Sequence, residues 1–363
     1  MPFVGAGLFD IQLNGYGGEW FCSESLTVEA VERIIHAYVA SGITRCFPTL
    51  ITSSHDAMTH GIRMIRRAVE QSSLVRSVIC GIHLEGPFIS PMDGPRGAHP
   101  LEHVRAANIA EFEKWQQAAD NTIRLVTLAP EVPGAMSLIR HLSQTGVIAS
   151  IGHTAASPEI IAEAAAHGAT LSTHLGNGCS ANINRHTNVF WPQLADDRLT
   201  ASIISDGWHV PADMLRCILR CKTLNRVIVT SDISGFGGCP AGTYNSGGVS
   251  VEILEDRRIV VAGQRQFLAG SASTTGDCVA HLVNTCGLSL EDAWRTASET
   301  PSEFFGLAPC VPVPGQEATC TLFRLPDGQC TESDRSKLST SDNRRDYEPV
   351  AAVIRGQLVS GRL

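Results

Sequence analysis

The sequence has little of what marks a membrane protein or a nucleic-acid-binding protein. No run approaches the ~20 apolar residues of a membrane span, so we expect no membrane partner. The formal net charge is −8, and no run of Lys or Arg offsets it, which argues against a nucleic-acid partner. The N-terminal residues lack a charged segment followed by a long apolar one, so we expect no signal peptide.

Three local motifs are also absent, and each absence excludes a class of site. The twelve cysteines form no CxxC pair, and Cys217 with Cys221 has no second Cys or His pair to complete a zinc site. Free thiols in a reducing cytoplasm are the simpler interpretation. The Gly-rich segment 232–242 has neither GxGxxG spacing nor a Gly-Lys-Ser/Thr ending, so it predicts a flexible active-site loop rather than a nucleotide site.

The chain instead alternates buried strands with helices. At 363 residues, 43% apolar and 18% charged, it can hold a barrel of about 250 residues with roughly a hundred residues appended. Continuous Val/Ile/Leu runs indicate parallel strands buried on both faces. We therefore predict an α/β fold, a (β/α)8 TIM barrel. The eight strands are expected near residues 8–14, 43–49, 78–85, 123–131, 146–152, 169–173, 199–205 and 226–231.

The pattern also predicts helices and domains. Thr27 and Ser157 are expected N-caps, the latter followed by Pro158 at the first helical position. Residues 1–310 form the predicted catalytic barrel, with an inserted hairpin at about 247–263. Residues 311–363 form a predicted C-terminal β appendage with an exposed polar loop at about 331–347. The other helices are expected near 54–70, 102–118, 134–143, 211–221, 274–286 and 289–300.

Polar residues end most of the predicted strands, where barrels of this type carry their chemistry. Glu85, His153 and His174 end strands 3, 5 and 6, and two His with one Glu and an open position is a known catalytic zinc set. Asp232 follows strand 8 and is predicted to be the proton-transferring acid and base. Taken singly, a strand-end His is more often a hydrogen-bonded structural residue than a ligand, and Asp232 could instead be an N-cap or turn residue.

Four loop residues on the same face could bind an oxyanion or a phosphate. They are His99, Asn177, Arg185 and His209, which offer imidazole, amide and guanidinium donors. Each of them alone would more often be a solvated loop residue. Glu131, which ends strand 4, is interpreted as structural.

Nine motifs in order also carry a family resemblance. The segments FDIQLNGYGG, HLEGPFIS, RGAHP, TLAPE, IGHT, THLGNG, SDGWHV, VTSDISG and LAGSAST span roughly residues 8 to 305. They resemble the motif series of N-acetylglucosamine-6-phosphate deacetylases in the amidohydrolase superfamily. The resemblance implies a barrel enzyme that hydrolyses an N-acetyl amide to acetate and an amino-sugar phosphate.

The resemblance also implies roles for individual residues. Glu85, His153 and His174 would be the metal ligands, and Asp232 the catalytic acid and base. His99 would contact the acetamide, and the remaining substrate residues would contact the sugar phosphate. The arginine would reach the neighbouring subunit's site, which implies a homodimer. The implied phosphate-binding residues are Asn177, Gly178, Arg185 and His209.

Two positions of strand 1 bear on the number of metal ions. Many amidohydrolases have a His-x-His pair there, whereas this chain has Gln12 and Asn14, and neither amide is a good zinc ligand. We therefore expect one divalent ion per subunit. The ligand set favours Zn2+, although the same residues accept Fe2+, Co2+ or Mn2+.

Two departures from the family pattern leave alternatives open. The chain starts almost at strand 1, so the small β domain is expected to be reduced or incomplete. The loop GCSANINRHTNVFWPQ differs from the commoner family sequence, which leaves the 6-phosphate requirement open. The alternatives are a deacetylase of another N-acetyl amino sugar or N-acyl substrate, and a degenerate barrel kept for binding.

Overall fold

The computed structural model describes residues 2–246, 249–325 and 347–362. The predicted polar loop at about 331–347 therefore lies outside the described residues, except for Tyr347. The tip of the predicted hairpin, residues 247–248, lies outside them as well. None of the helices in the described ranges is long and apolar enough to cross a membrane.

In the described ranges, the strands form the barrel and three smaller sheets. In chain order they are β1 (Phe3–Ala6), β2 (Leu8–Leu13), β3 (Gly15–Tyr16), β4 (Glu19–Trp20), β5 (Ile43–Ile51), β6 (Ile82–Glu85), β7 (Ile123–Leu128), β8 (Ile148–Ile151), β9 (Ala169–Ser172), β10 (Thr200–Ile203), β11 (Val227–Val229), β12 (Gly242–Ser246), β13 (Val249–Ile253), β14 (Ile259–Val261), β15 (Gln264–Leu268), β16 (Cys320–Arg324), β17 (Glu348–Ile354) and β18 (Gln357–Gly361).

The helices lie mostly between the barrel strands. They are α1 (Val28–Val39), α2 (His55–Gln71), α3 (Ser73–Val78), α4 (Ile109–Ala118), α5 (Ala135–Gln144), α6 (Pro158–Ala166), α7 (Phe190–Ala195), α8 (Ala212–Lys222), α9 (Thr275–His281), α10 (Leu290–Arg295) and α11 (Glu299–Phe304). Short 3-10 turns cover Leu101–His103 and Leu224–Arg226, and a π-helical segment, Leu282–Cys286, follows α9.

The eight predicted barrel strands form one parallel sheet, which confirms the predicted fold class. Its order is β2-β5-β6-β7-β8-β9-β10-β11, so neighbours in the sheet are also neighbours along the chain. The barrel is nearly closed, and just after its first and last strands the Asn14 N–H donates to the Ile233 carbonyl at 3.0 Å. Closure brings the carboxyl ends of all eight strands to one mouth, which is where the site lies.

Several helix ends follow from local sequence. The Thr27 and Ser157 side chains accept from the N–H groups of Ala30 and Ile160, so both predicted N-caps are confirmed. The helix predicted at 102–118 is wrong in its first turns, because it begins only at Ile109. Asn108 is its cap and accepts from the Glu111 N–H.

The two ends of the described chain meet in a small antiparallel sheet of order β1-β16-β17-β18. Phe323 of β16 stacks on Trp294, with ring centroids 4.0 Å apart, and the Trp294 indole donates to the Ala6 carbonyl at 2.8 Å. The Tyr347 hydroxyl donates to the Ser41 carbonyl at 3.0 Å. These contacts attach the small sheet to the barrel helices, and β1 is a strand that the sequence analysis missed.

The segment after β11 forms a four-stranded antiparallel sheet of order β12-β13-β14-β15. The sequence predicted a two-stranded hairpin at about 247–263, which covers only its two middle strands. Its buried side chains pack with Phe236, whose ring meets Trp20 edge-on at 5.5 Å. This sheet therefore lies against the loops that follow β2 and β11.

Asp10 is a buried carboxylate that ties the first strand to the last. Its Oδ1 accepts from the Thr230 hydroxyl at 2.6 Å and from the Ser231 N–H at 3.3 Å. Its Oδ2 accepts from the hydroxyls of Tyr38, at 2.5 Å, and Thr275, at 2.9 Å. The buried hydrogen bonds thus join β2, α1, the end of β11 and α9.

Asp10→Ala is expected to lower the free energy of unfolding by about 3 kcal/mol, because it leaves buried donors without an acceptor. Chemical denaturation measures this change. Asp213→Ala, at an exposed position of α8, is the control and should change the value by less than ~0.5 kcal/mol. Equal stability of the two variants would contradict the structural role of Asp10.

Candidate active site

Three predicted strand-end residues converge at the barrel mouth. The Nε2 atoms of His153 and His174 lie 3.1 and 3.0 Å from the same oxygen, Oε1 of Glu85. The two Nε2 atoms are 3.0 Å apart. All three residues are buried. Burial alone would raise the pKa of Glu85, but hydrogen bonds and charge from the two imidazoles hold it well below its usual range.

The donor set fits a divalent metal ion. Nδ1 of His153 lies 2.9 Å from the Pro95 carbonyl, which can only accept, so Nδ1 carries a proton. On binding an ion, Nε2 would give up its own proton and present a lone pair. That lone pair faces a carboxylate and a second imidazole nitrogen. The separations of 3.0–3.1 Å are close to the ~3.3 Å edge of a tetrahedral zinc shell with bonds of about 2.0–2.1 Å.

The backbone turns these side chains inward at a conformational cost. His153, His174 and Asp232 have φ values of 51°, 32° and 47°, in the left-handed region that non-glycine residues rarely adopt. Such conformations concentrate at functional sites, where the surrounding structure holds them. Glu131 helps to stabilise the backbone after His153, because it accepts from the Thr154 hydroxyl at 2.6 Å and from the Ala155 N–H at 2.7 Å.

Asp232 lies next to the three-residue cluster. One of its oxygens, Oδ1, accepts from the Asn14 amide at 2.8 Å. Burial, followed by the negative charge of Glu85, raises the pKa of Asp232 to about 7. A carboxyl group with this pKa can both accept and release a proton near neutral pH.

The strand 1 amides act as donors to the two site carboxylates. Gln12 donates its Nε2–H to Glu85 Oε1 at 2.8 Å, and Asn14 donates to Asp232. The two residues are buried and lie two positions apart at the end of β2, so their side chains share one face, the one toward the barrel interior. The sequence analysis interpreted them only as poor metal ligands and missed this orienting role.

His99 lies buried beside His153, with ring centroids 4.3 Å apart. Its Nδ1 lies 2.7 Å from the Thr52 hydroxyl. Burial, then the positive charge of His153, lowers the pKa of His99 to about 3, so the ring is neutral at pH 7. Glu85, His99 and His153 also present one possible ligand atom each within 4.8 Å of one another, so His99 adjoins the three-residue cluster directly.

The remaining predicted residues occupy the loops that follow β9 and β10. His209 is nearly buried and forms an ion pair with Asp206 at 2.7 Å. Gly178 packs so closely that a Cβ there would lie 3.0 Å from His153 Nδ1 and 3.2 Å from His174 Cε1. The Asn177 backbone N–H donates to the His174 carbonyl at 2.9 Å, and its side-chain amide makes only a long bond, 3.4 Å, to the same oxygen. Both Asn177 and Gly178 thus adjoin the cluster.

Arg185 is not brought to the cluster in this chain. It lies on an exposed loop, and its guanidinium makes no hydrogen bond or ion pair with any residue in the described ranges. Its backbone carbonyl accepts from the Trp191 indole at 3.1 Å. Two site residues that sequence reasoning overlooked are Thr52, beyond the predicted end of strand 2, and Asp206, directly after the predicted strand 7.

Comparisons with known proteins agree with the barrel fold. Residues 3–359 match the amidohydrolase family. An N-acetylglucosamine-6-phosphate deacetylase of Bacillus subtilis (strain 168) is 32% identical over 83% of this chain and 75% of its own length. An N-acetylgalactosamine-6-phosphate deacetylase of Shewanella sp. (strain ANA-3) is 31% identical over 82% of this chain and 73% of its own length. A crystal structure of the N-acetyl-D-glucosamine-6-phosphate deacetylase of Mycobacterium smegmatis is 27% identical, with a TM-score of 0.83 over 99% of this chain and 88% of that chain.

Proposed function

The chain belongs to the amidohydrolase family, in the group that includes the N-acetylglucosamine-6-phosphate deacetylases, and we propose that it hydrolyses the acetamide of N-acetylglucosamine 6-phosphate. The products are acetate and glucosamine 6-phosphate. The observation that carries this proposal is the convergence of Glu85 Oε1, His153 Nε2 and His174 Nε2 within 3.0–3.1 Å of one another. A metal-dependent amide hydrolase needs such a cluster beside a proton-transferring carboxylate.

Glu85, His153 and His174 would hold one divalent ion, for which Zn2+ suits the imidazole-rich set best. The chemistry that such an ion supplies is polarisation of a carbonyl and acidification of water. Gln12 and Asn14 support a count of one, because both amides donate N–H groups to carboxylates. The amide oxygen, through which either side chain would bind an ion, is a poorer ligand for zinc than imidazole.

Asp232 would move the proton during the reaction. It takes a proton from the attacking water as the carbon–oxygen bond forms, and it returns that proton to the sugar nitrogen as the carbon–nitrogen bond breaks. The Asn14 amide occupies Oδ1, which leaves Oδ2 to handle the proton. The pKa of about 7, raised chiefly by burial, suits both transfers.

The substrate residues divide between the two ends of the sugar. His99, next to His153, would contact the acetamide oxygen and stabilise the developing oxyanion together with the ion. His209, Asn177 and the Gly178 N–H would contact the 6-phosphate. The exposed side chain of Arg185 would reach the phosphate of the neighbouring subunit in a homodimer. The free thiols of every described cysteine support a cytoplasmic location.

Arg185→Ala is expected to raise KM for N-acetylglucosamine 6-phosphate by about 10- to 100-fold with kcat little changed, because a guanidinium–phosphate contact is lost. The unphosphorylated sugar should be unaffected. Steady-state kinetics on both substrates measure the difference. Arg140→Ala, at an exposed position of α5, is the matched control and should leave both constants unchanged.

A mixed dimer tests whether Arg185 acts across the interface. Arg185→Ala chains combined with Asp232→Asn chains should regain activity, because one site of each hybrid then has Asp232 and its neighbour's Arg185. A mixture no more active than its separate components would show that Arg185 does not act from the neighbouring subunit.

A second candidate substrate is N-acetylgalactosamine 6-phosphate, which the names of relatives at 31% and 29% identity favour. Acetate release from N-acetylglucosamine and N-acetylgalactosamine, each with and without the 6-phosphate, separates the candidates. We expect the highest kcat/KM for the phosphorylated gluco epimer. Preference for the galacto epimer would support the second candidate, and failure to hydrolyse all four would overturn both.

A further inference from the structure

The Asp206–His209 pair has a geometry that fixes one imidazole nitrogen. Asp206 Oδ1 accepts from the backbone N–H groups of Trp208 and His209, at 2.9 and 3.0 Å. Its Oδ2 lies 2.7 Å from His209 Nδ1. The side chains are only 2% and 9% exposed. Since a carboxylate only accepts, Nδ1 of His209 must carry a proton and donate it to Asp206.

The other nitrogen of the ring remains available. His209 Nε2 makes no hydrogen bond with any residue in the described ranges, and it is not among their buried unpartnered side-chain atoms. Asp232, a residue of the proposed reaction, acts electrostatically on the same ring. Nε2 is therefore open to solvent, and His209 lies on the loop after β10, at the end of the barrel where the strand-end residues meet.

Charge around the pair favours the ionised form of both partners. Burial favours neutral His209, but the hydrogen bond and charge of Asp206, together with the charge of Asp232, outweigh it and raise the pKa of the imidazole. The pKa of Asp206 is lowered, because its bonds to His209 outweigh burial. On the elements packed nearby, the His281 ring lies against Gly207, and the Arg258 guanidinium lies over the Trp208 ring at 4.7 Å.

We propose that Asp206 is a positioning residue that holds His209 as an imidazolium, with its Nε2–H directed to the anionic group of the substrate. The inference rests on the proposed function, which places the sugar phosphate at His209. A charged donor forms a shorter and stronger bond to a phosphate oxygen than a neutral one. Asp206 thus favours a phosphorylated sugar through the charge of His209, without contacting the sugar itself.

Asp206→Asn separates this role from a structural one. The amide oxygen can still accept from the backbone N–H groups of Trp208 and His209, so the turn is kept, while the negative charge on Oδ2 is lost. A residue that only shaped the turn would tolerate this change or would impair phosphorylated and unphosphorylated substrates equally. A residue that sets the charge of His209 would impair the phosphorylated substrate selectively.

The experiment compares N-acetylglucosamine with and without the 6-phosphate in metal-loaded enzyme. Asp206→Asn is expected to raise KM for the phosphorylated sugar by about tenfold or more, leaving its kcat and the kcat/KM of the free sugar nearly unchanged. Asp213→Asn removes one charge from an exposed site on the next helix, α8, and should change neither substrate's constants. Equal losses on both sugars, or no loss on either, overturn the proposal.

Binding measurements keep the inference separate from the proposed reaction. Glucose 6-phosphate, which carries the phosphate but no acetamide, should bind Asp206→Asn about tenfold more weakly than wild type, as measured by calorimetry. In the His209→Gln background, Asp206→Asn should add no further loss, since the two residues act as a unit. An additive further loss overturns the proposal. If the wild type binds glucose 6-phosphate but releases no acetate, the proposed reaction fails while these binding outcomes still decide the role of Asp206.

Discussion

Asp232→Asn is expected to lower kcat for acetate release by about 10²- to 10⁴-fold, the range supplied by a general acid and base. The amide keeps the size of the side chain and can still accept from Asn14, but it cannot take a proton from water. Metal content and the midpoint of thermal unfolding should stay near those of the wild type. Steady-state kinetics with elemental analysis and a thermal scan measure all three quantities.

Two controls separate proton transfer from general damage at the site. Asp56→Asn changes an exposed carboxylate in the first turn of α2 and should leave kcat unchanged. Asn14→Ala removes the amide that orients Asp232 Oδ1 and should give an intermediate loss, about tenfold. An Asp232→Asn variant with kcat within tenfold of the wild type would show that another group transfers the proton.

His153→Ala and His174→Ala are each expected to abolish stoichiometric metal binding and to lower kcat/KM by at least about 10³-fold. Each change removes one of three ligand atoms, which leaves too few donors for tight binding of a divalent ion. Elemental analysis of the purified variants measures the metal content, and acetate release measures the activity. Added Zn2+ at high concentration should restore activity only in part.

The comparison variant for the ligand substitutions is His141→Ala, which removes an imidazole near the end of α5 that pairs with Glu113. It should retain full metal content and activity. A His174→Ala variant that still binds one ion per chain would point to the neighbouring set of Glu85, His99 and His153. The assignment of His174 as a metal ligand would then be wrong.

Much of the fold could be predicted because the barrel strands carry local signals. Runs such as those of β7 and β11 are mostly apolar, and the segments between barrel strands carry helix caps like Thr27. By contrast, β1 is only four residues, FVGA, and it pairs with β16, more than 300 residues away along the chain. A short strand whose partner is distant leaves no periodic pattern, so nothing in the local sequence indicated it.

The sequence predicted which residues form the candidate site, but it did not predict the hydrogen bonds between them. A polar residue after an apolar run located Glu85, His153 and His174, and barrel closure placed them together. The direction of each hydrogen bond could not be read from the sequence. Gln12 donates to Glu85, and Thr52 lies 2.7 Å from His99, only because particular strand ends meet when the ring closes. Arg185 differs from these residues. It lies on an exposed loop, and its guanidinium contacts no partner among the described residues of this chain.

Titration of metal-free enzyme with Zn2+, followed by acetate release from N-acetylglucosamine 6-phosphate, tests the central claim most directly. The account predicts no turnover without the ion, a linear rise in rate as ion is added, and a break at one equivalent per chain. A break at two equivalents would contradict the single-ion site next to Gln12 and Asn14. A rate that is independent of the ion, or no acetate at any ratio, would contradict the proposed metal-dependent deacetylase.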